Sequence, residues 1–395
     1  MALHVQRDGY HPGETLYQLR DEAPVAEYRL PIGLQSMPAW LVTRHEDVRR
    51  VLSDSALFSS TGGAQVAYLG EESAARLSMR APGKFIEEDP PEHTRLRRLL
   101  TREFTVRRIQ ALVPRIETYV DDLLDTMESS GGPVDLIESF ALPLPSLVIC
   151  ELFGVPYEDR DEFQERSSAQ LDFQRSIPER VAIAAESHAY MAKLVALQRA
   201  DPGDDLLGML VREHGDAITD EELSGIGALL LLGGHETTAA MLGLGTLLLL
   251  DHPEQADQVR DRPGAVEQAV EEMLRYLSVV SIPVIRTATE DVTLGGRLIK
   301  AGSAVVCSLA MANRDHTLAE SPDVFDITRE AASHIAFGHG IHHCIGAPLA
   351  RTEMRIAFPA LLRRFPGLRL AVPRQDIVFR VNSVSHNVQA LPVAW

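Results

Sequence analysis

Cysteine is scarce in this sequence. Its three copies among 395 residues, Cys150, Cys307 and Cys344, lie too far apart for a Cys-x-x-Cys pair or a local disulfide framework. Aromatic residues make up only 6%. The N-terminal run Met1-Ala2-Leu3-His4-Val5-Gln6-Arg7-Asp8 lacks the basic start and unbroken apolar core of a secretory signal, so a reducing, cytoplasmic setting is expected. Positive charge is short as well: 38 Lys and Arg against 56 Asp and Glu leave a formal net charge of −18, which argues against a nucleic-acid partner. No apolar run reaches the roughly 18 residues of a membrane span. The nearest, Ile226 to Leu250, is broken by His235-Glu236-Thr237-Thr238. What is present, 45% hydrophobic and 24% charged residues, is the composition of a folded globular chain. With no linker-like tract and no repeat, one domain over 1–395 is expected.

The pattern reads as mainly α with a smaller β region. Strands are expected at Val25–Leu30 and Trp40–Thr43, helices over most of Glu92 to Leu277, and a hairpin over Val292–Ile299 around Gly295-Gly296. Further strands are expected around Asn382–Asn387. Thr219, three before Glu222, makes a capping box for a helix that should run to about Leu250, before Asp251-His252-Pro253. Such a helix is roughly 48 Å long. Being apolar on nearly every face, it belongs in the middle of a large domain.

Three clusters could carry chemistry. At the centre of the long helix, Gly233-Gly234-His235-Glu236-Thr237-Thr238 places an ionisable side chain where burial is costly. The two glycines are tolerated if a ligand approaches the backbone or the helix locally opens; the plain alternative is a kink with threonines bonded back to carbonyls. The second cluster, Glu271-Glu272-Met273-Leu274-Arg275, puts Glu272 and Arg275 on one face of a helix starting near Gly264, an arrangement usually found as a surface ion pair. In the third, Phe337-Gly338-His339-Gly340-Ile341-His342-His343-Cys344-Ile345-Gly346 frames one cysteine with glycines ahead of an apparent helix. Backbone N–H groups and a helix N-terminus there favour a thiolate suited to one axial metal bond. The plain alternative is a small buried residue, as expected for Cys150 and Cys307. Zinc on His339, His342, His343 and Cys344 has the right ligand types, but adjacent ligands converge poorly on a tetrahedron.

In this order and spacing the three clusters resemble the cytochrome P450 superfamily of haem-thiolate monooxygenases, in its soluble actinobacterial form, over essentially the whole chain. The matching residues are Phe337, Gly340, Cys344 and Gly346 in the cysteine loop, Glu272 and Arg275 in the helix pair, and Gly233, Gly234, Glu236 and Thr237 in the oxygen-activating helix. The resemblance implies the family fold, with the long helix over the haem, and haem b with its iron on Cys344. It places His93, Arg97, Arg286 and His342 on the propionates, with Gly233, Gly234, Phe337 and Gly346 also against the cofactor. Glu236 and Thr237 are the implied catalytic pair, relaying protons to O₂. One departure is Val324, where the family often has a basic residue; Arg329 could complete the network of Glu272 and Arg275 instead.

The resemblance further implies electrons from NAD(P)H through a separate reductase and ferredoxin, with Arg95, Arg98 and Arg102 as a basic docking face or merely a solvated one. A peroxide-using relative could dispense with Glu236 and Thr237. The substrate, expected against 59–85, 171–192, the long central helix, 279–285 and 383–387, reads as bulky and mainly apolar. Val279, Val280, Ile282, Val284 and Ile285 supply a wall, with Ser281, Ser385 and His386 as polar anchors. By analogy it is a macrolide or other polyketide of antibiotic biosynthesis, hydroxylated or epoxidised.

Overall fold

Four consecutive apolar residues, Ala304–Cys307, point alternately to two buried faces of a five-stranded sheet, and the architecture is described from a computed structural model. Residues 3–32, 35–61, 82–160, 162, 163, 166, 169, 176–330, 333–380 and 384–395 are the described ones. Besides a single turn at Leu309–Ala312, the described α-helices in chain order are α1 (Glu14–Glu22), α2 (His45–Ser53), α3 (Glu92–Thr101), α4 (Val106–Ser130), α5 (Pro143–Phe153), α6 (Ile177–Ala200), α7 (Leu206–His214), α8 (Asp220–Asp251), α9 (Pro253–Asp261), α10 (Ala265–Leu277) and α11 (Ala347–Arg364). Besides a short antiparallel pair, Arg7–Asp8 with His11–Pro12, the described strands are β1 (Val25–Ile32), β2 (Gln35–Val42), β3 (Phe58–Ser59), β4 (Val134–Asp135), β5 (Val284–Ala288), β6 (Val292–Leu294), β7 (Arg297–Ile299), β8 (Ala304–Cys307), β9 (Arg369–Leu370) and β10 (Pro392–Ala394). Two compact units emerge, each from three stretches of chain: Met1–Arg98, Leu274–Phe325 and Ala332–Ile345 in the first, and Leu99–Met273, Asp326–Ala331 and Gly346–Trp395 in the second.

The first unit holds the sheet, in the order β1-β2-β8-β5-β3, with β8 parallel to β2 and antiparallel to β5. Ala304 and Val306 pack with Leu16, Leu30, Leu41 and Ile285, whereas Val305 and Cys307 pack with Val25, Val42, Val48 and Phe58. β1 and β2 are longer than their apolar cores suggest. They pair from Val25↔Val42 to Ile32↔Gln35, and Pro31 is accommodated because β1 is an edge strand. The expected hairpin forms as β6 and β7, its turn supplied by Gly295 and Gly296 at φ of +52° and +75°.

The second unit is built around α8, which spans 32 residues and is capped as expected. The Thr219 side chain accepts from the Glu222 amide (3.2 Å), and the Glu222 carboxylate accepts from the Thr219 amide (2.9 Å). Helices α5, α6 and α11 pack against α8, and α4 packs on α11. β9, β10 and β4 form a small antiparallel sheet. β4 and a π-helical turn at Ile137–Ala141 interrupt the stretch expected to be mostly helical. The strands expected around Asn382–Asn387 shrink to a bridge, Phe379↔Val388, flanked by the Arg380 amide on the Asn387 carbonyl (2.7 Å) and the Gln389 amide on the Val378 carbonyl (2.8 Å). Residues 381–383 of that segment lie outside the described ones.

Candidate functional site

In the first unit the cysteine loop is shaped by its glycines. Gly338 and Gly340 both take φ of +71°. A Cβ on Gly340 would also collide with the carbonyl oxygen of Leu52 in α2, so only glycine fits there. The Cys344 amide donates to the Phe337 carbonyl (2.9 Å) and the His343 amide to the Gly340 carbonyl (3.1 Å), closing the loop around an exposed thiol. Cys150 and Cys307 are buried, and burial pushes both thiols up to about 12, which makes them inert packing residues. Gly346, at φ −78°, needs no special backbone freedom where it precedes α11.

Four basic side chains from three segments meet beside this loop: His93 and Arg97 from α3, Arg286 from β5, and His342. The His93 and His342 rings lie 4.3 Å apart between centroids, and Arg97 Nη2 donates to the His343 carbonyl at 2.5 Å. His93 is only 2% exposed and Arg286 7%. Burial first, then the charges of Arg286, His93 and Arg97, push His342 down to about 3. Burial and the neighbouring arginines likewise hold His93 below its ordinary value, with Asp89 and the Ile341 carbonyl pulling the other way. Both ring nitrogens of His93 and Nδ1 of His342 are buried without a well-formed hydrogen bond. Cations and orphaned donors gathered out of water are costly unless an anion arrives. The donor set therefore fits the two propionates of haem b, and the exposed thiol fits its iron.

Sequence reasoning missed one layer here. Asp89 accepts from the Ser60 amide (2.8 Å), Ser59 Oγ (2.5 Å) and Thr61 Oγ1 (3.1 Å), while Ser60 Oγ lies 3.0 Å from His342 Nε2. Burial alone would raise the Asp89 pKa, but these hydrogen bonds outweigh it and hold the carboxylate below its ordinary value. Its only mark in the sequence was Asp89-Pro90-Pro91 ahead of α3.

In the second unit, α8 runs unbroken through Gly233, so it does not open locally. A Cβ on Gly233 would meet nothing within 4 Å, which leaves room for a ligand at the backbone, whereas the space beside Gly234 is filled by Ile149 of α5. Gly234 is thereby explained by helix packing. Thr237 Oγ1 donates to the Gly233 carbonyl at 2.6 Å, the back-bonding the plain reading expected. Glu236 is 4% exposed.

The helix pair proves to be buried rather than a surface ion pair. In the second unit Glu272 Oε1 accepts from the Asp326 amide (3.1 Å) and lies 3.4 Å from Arg329 Nε, so Arg329 does join Glu272. In the first unit Arg275 donates to the carbonyls of Asn313 (2.9 Å), Pro322 (2.7 Å) and Val324 (3.3 Å). The basic face is partly neutralised, since Arg95 pairs with Glu92 (2.6 Å) and Arg102 with Glu213 (3.5 Å). The apolar wall is shorter than expected. Ile285 and Val284 pack into the sheet's two cores, and Val279 is buried, leaving Val280 and Ile282 open. The cavity beside Val280–Ile282, about 10 Å³, has room for one water rather than a substrate. In the second unit Ser385 is fully buried and His386 stacks on Phe379 at 5.2 Å. Residues 62–81, 171–175 and 383 of the expected substrate segments lie outside the described ones. Among the described residues no His, Cys, Asp and Glu group forms a zinc-type site, and no helix is long and apolar enough to cross a membrane.

Comparison with known proteins gives a consistent picture. The family model described as Cytochrome P450 matches residues 265–378. Cytochrome P450 FAS1 of Rhodococcoides fascians is 45% identical, covering 100% of this chain and 98% of the relative. Nocardicin C N-oxygenase of Nocardia uniformis subsp. tsuyamanensis is 45% identical, covering 98% and 95%. The solved structure of P450 StaH, from glycopeptide antibiotic A47934 biosynthesis, superposes with a TM-score of 0.89 at 44% identity, covering all of both chains.

Proposed function

Since the chain belongs to the cytochrome P450 family of haem-thiolate monooxygenases, we propose that Cys344 would hold the haem iron and that the protein oxidises a bulky, mainly apolar secondary metabolite by hydroxylation or epoxidation. The observation that carries this reading is the cluster of four buried or half-buried basic side chains beside an exposed, glycine-framed thiol. Haem b, when bound, supplies reductive activation of O₂ and transfer of one oxygen atom to the substrate.

The chain's own residues do the rest. Cys344 would provide the anionic ligand, Arg97 and Arg286 would neutralise the propionates, and His93 and His342 would donate hydrogen bonds to them. Phe337 and Gly346 frame the ligand loop, and Gly233 keeps its stretch of α8 free of side chain for the approaching ligand. Glu236 holds the proton, and Thr237 passes it on once its hydroxyl turns away from the Gly233 carbonyl. The balance is substrate, O₂, NAD(P)H and one proton to oxidised substrate, water and NAD(P)⁺. We assign the electrons to a separate ferredoxin and its NAD(P)H-dependent reductase, the cellular setting to the cytoplasm, and the whole of 1–395 to one functional domain. The acid and alcohol neighbours Glu236 and Thr237 favour this route over a peroxide-using one.

A macrolide or other polyketide is the preferred substrate class. The likeness to StaH supports a second one, a peptide-derived antibiotic scaffold. In the test, the reduced protein with carbon monoxide should show the strongly red-shifted Soret band of thiolate-bound haem, and Cys344→Ala should abolish it. Wild-type turnover should require ferredoxin, reductase and NAD(P)H together. A spectrum unchanged in Cys344→Ala would overturn the ligand assignment, and full turnover with peroxide alone would overturn the electron route.

A further inference from the structure

His342 can meet a carboxylate only as a hydrogen-bond donor, and in a neutral imidazole just one nitrogen carries the proton. Its Nδ1 is the buried nitrogen without a partner, while Nε2 lies 3.0 Å from Ser60 Oγ. Were Nε2 to carry the hydrogen, Nδ1 would offer a lone pair to an arriving anion and repel it. Were the Ser60 hydroxyl to donate to Nε2 instead, the hydrogen would sit on Nδ1, facing the anion. Ser60 is 2% exposed, and its described side-chain hydrogen bond is the one to His342. Its backbone is gripped by Asp89, which accepts from the Ser60 amide at 2.8 Å and also holds the flanking Ser59 and Thr61 hydroxyls. The hydroxyl is thus aimed by a carboxylate that does not itself compete for it.

We propose that Ser60, clamped by Asp89, is a positioning residue that fixes His342 as an Nδ1–H donor to a haem propionate. This rests on the haem reading above and adds to it a layer that acts through His342 without touching the cofactor. The consequence is tighter retention of the cofactor and a less negative environment around its carboxylates.

The test uses purified holoprotein and follows haem transfer to excess apomyoglobin, together with the reduction potential. Ser60→Ala should release haem roughly tenfold faster, the scale of one hydrogen bond to a charged group, and shift the potential to more negative values. Ser60→Thr, which keeps the hydroxyl, should restore both. In the His342→Ala background the Ser60→Ala change should add nothing, because its effect runs through that ring. Asp89→Asn should fall between Ser60→Ala and wild type. Wild-type release from Ser60→Ala, or an effect that adds in full to His342→Ala, overturns the proposal while leaving the haem reading intact. A wild-type protein that takes up no thiolate-bound haem overturns both.

Discussion

Glu353 is 3% exposed on α11, its Oε2 has no hydrogen-bond partner, and burial pushes its pKa up to about 8. The folded protein therefore carries a neutral carboxyl there at pH 7, while the unfolded chain ionises near 4.5. Because the folded pKa is the higher, stability is fully present below about pH 4.5, falls as pH rises towards 8, and is flat beyond. Glu353→Gln should match wild type at pH 4.5 and exceed it at pH 8.5 by on the order of 3 kcal/mol, read from denaturant midpoints. A variant less stable at both pH values would refute a neutral Glu353. Thr237 makes the opposite case, an ordinary helix threonine by its hydrogen bond yet an assigned proton donor. Thr237→Ala should retain haem and its spectrum while product formed per NAD(P)H consumed falls several-fold; unchanged coupling would return Thr237 to a purely structural role.

Within α8 two adjacent glycines have different causes, which no local pattern separates. Gly234 packs against the side chain of Ile149 of α5, a residue 85 positions away in sequence, while Gly233 faces open space. Gly233→Ala should raise helix stability by about 1 kcal/mol and at the same time depress turnover by filling the ligand's space. Higher thermal stability with undiminished turnover would refute the assigned role. The capping box, the length of α8 and the β6–β7 turn were all legible, because each depends on residues within a few positions. The burial of Glu272 and Arg275 was not. A charged pair at i, i+3 looks the same on a surface helix as in an interior where the carbonyls of Asn313, Pro322 and Val324 receive the guanidinium. The same limit applies to Val284 and Ile285, whose alternation fits a substrate wall and a sheet core equally well.

At the scale of the whole molecule, each compact unit is assembled from three separated stretches, so no single cut liberates either one. Residues 99–273 expressed alone lack α11, against which α4 and α8 pack, and strands β9 and β10, which complete the sheet with β4. That fragment should show no cooperative unfolding transition by circular dichroism; a sharp one would mean that α11 is dispensable. The sequence by itself determined the family, the mainly helical class, the glycine-framed cysteine proposed as the iron ligand and the four basic side chains that gather beside it. Glycine turns and caps are properties of short stretches, the charge excess is one of composition, and the order of the motifs along the chain is itself sequence. Only the tertiary structure decided that Ser60 and Asp89 stand behind His342, that Glu353 is buried with its pKa pushed up, and that part of the apolar wall is core. Those are facts of burial and of contacts between residues up to hundreds of positions apart, and desolvation acts on a group according to what surrounds it in space.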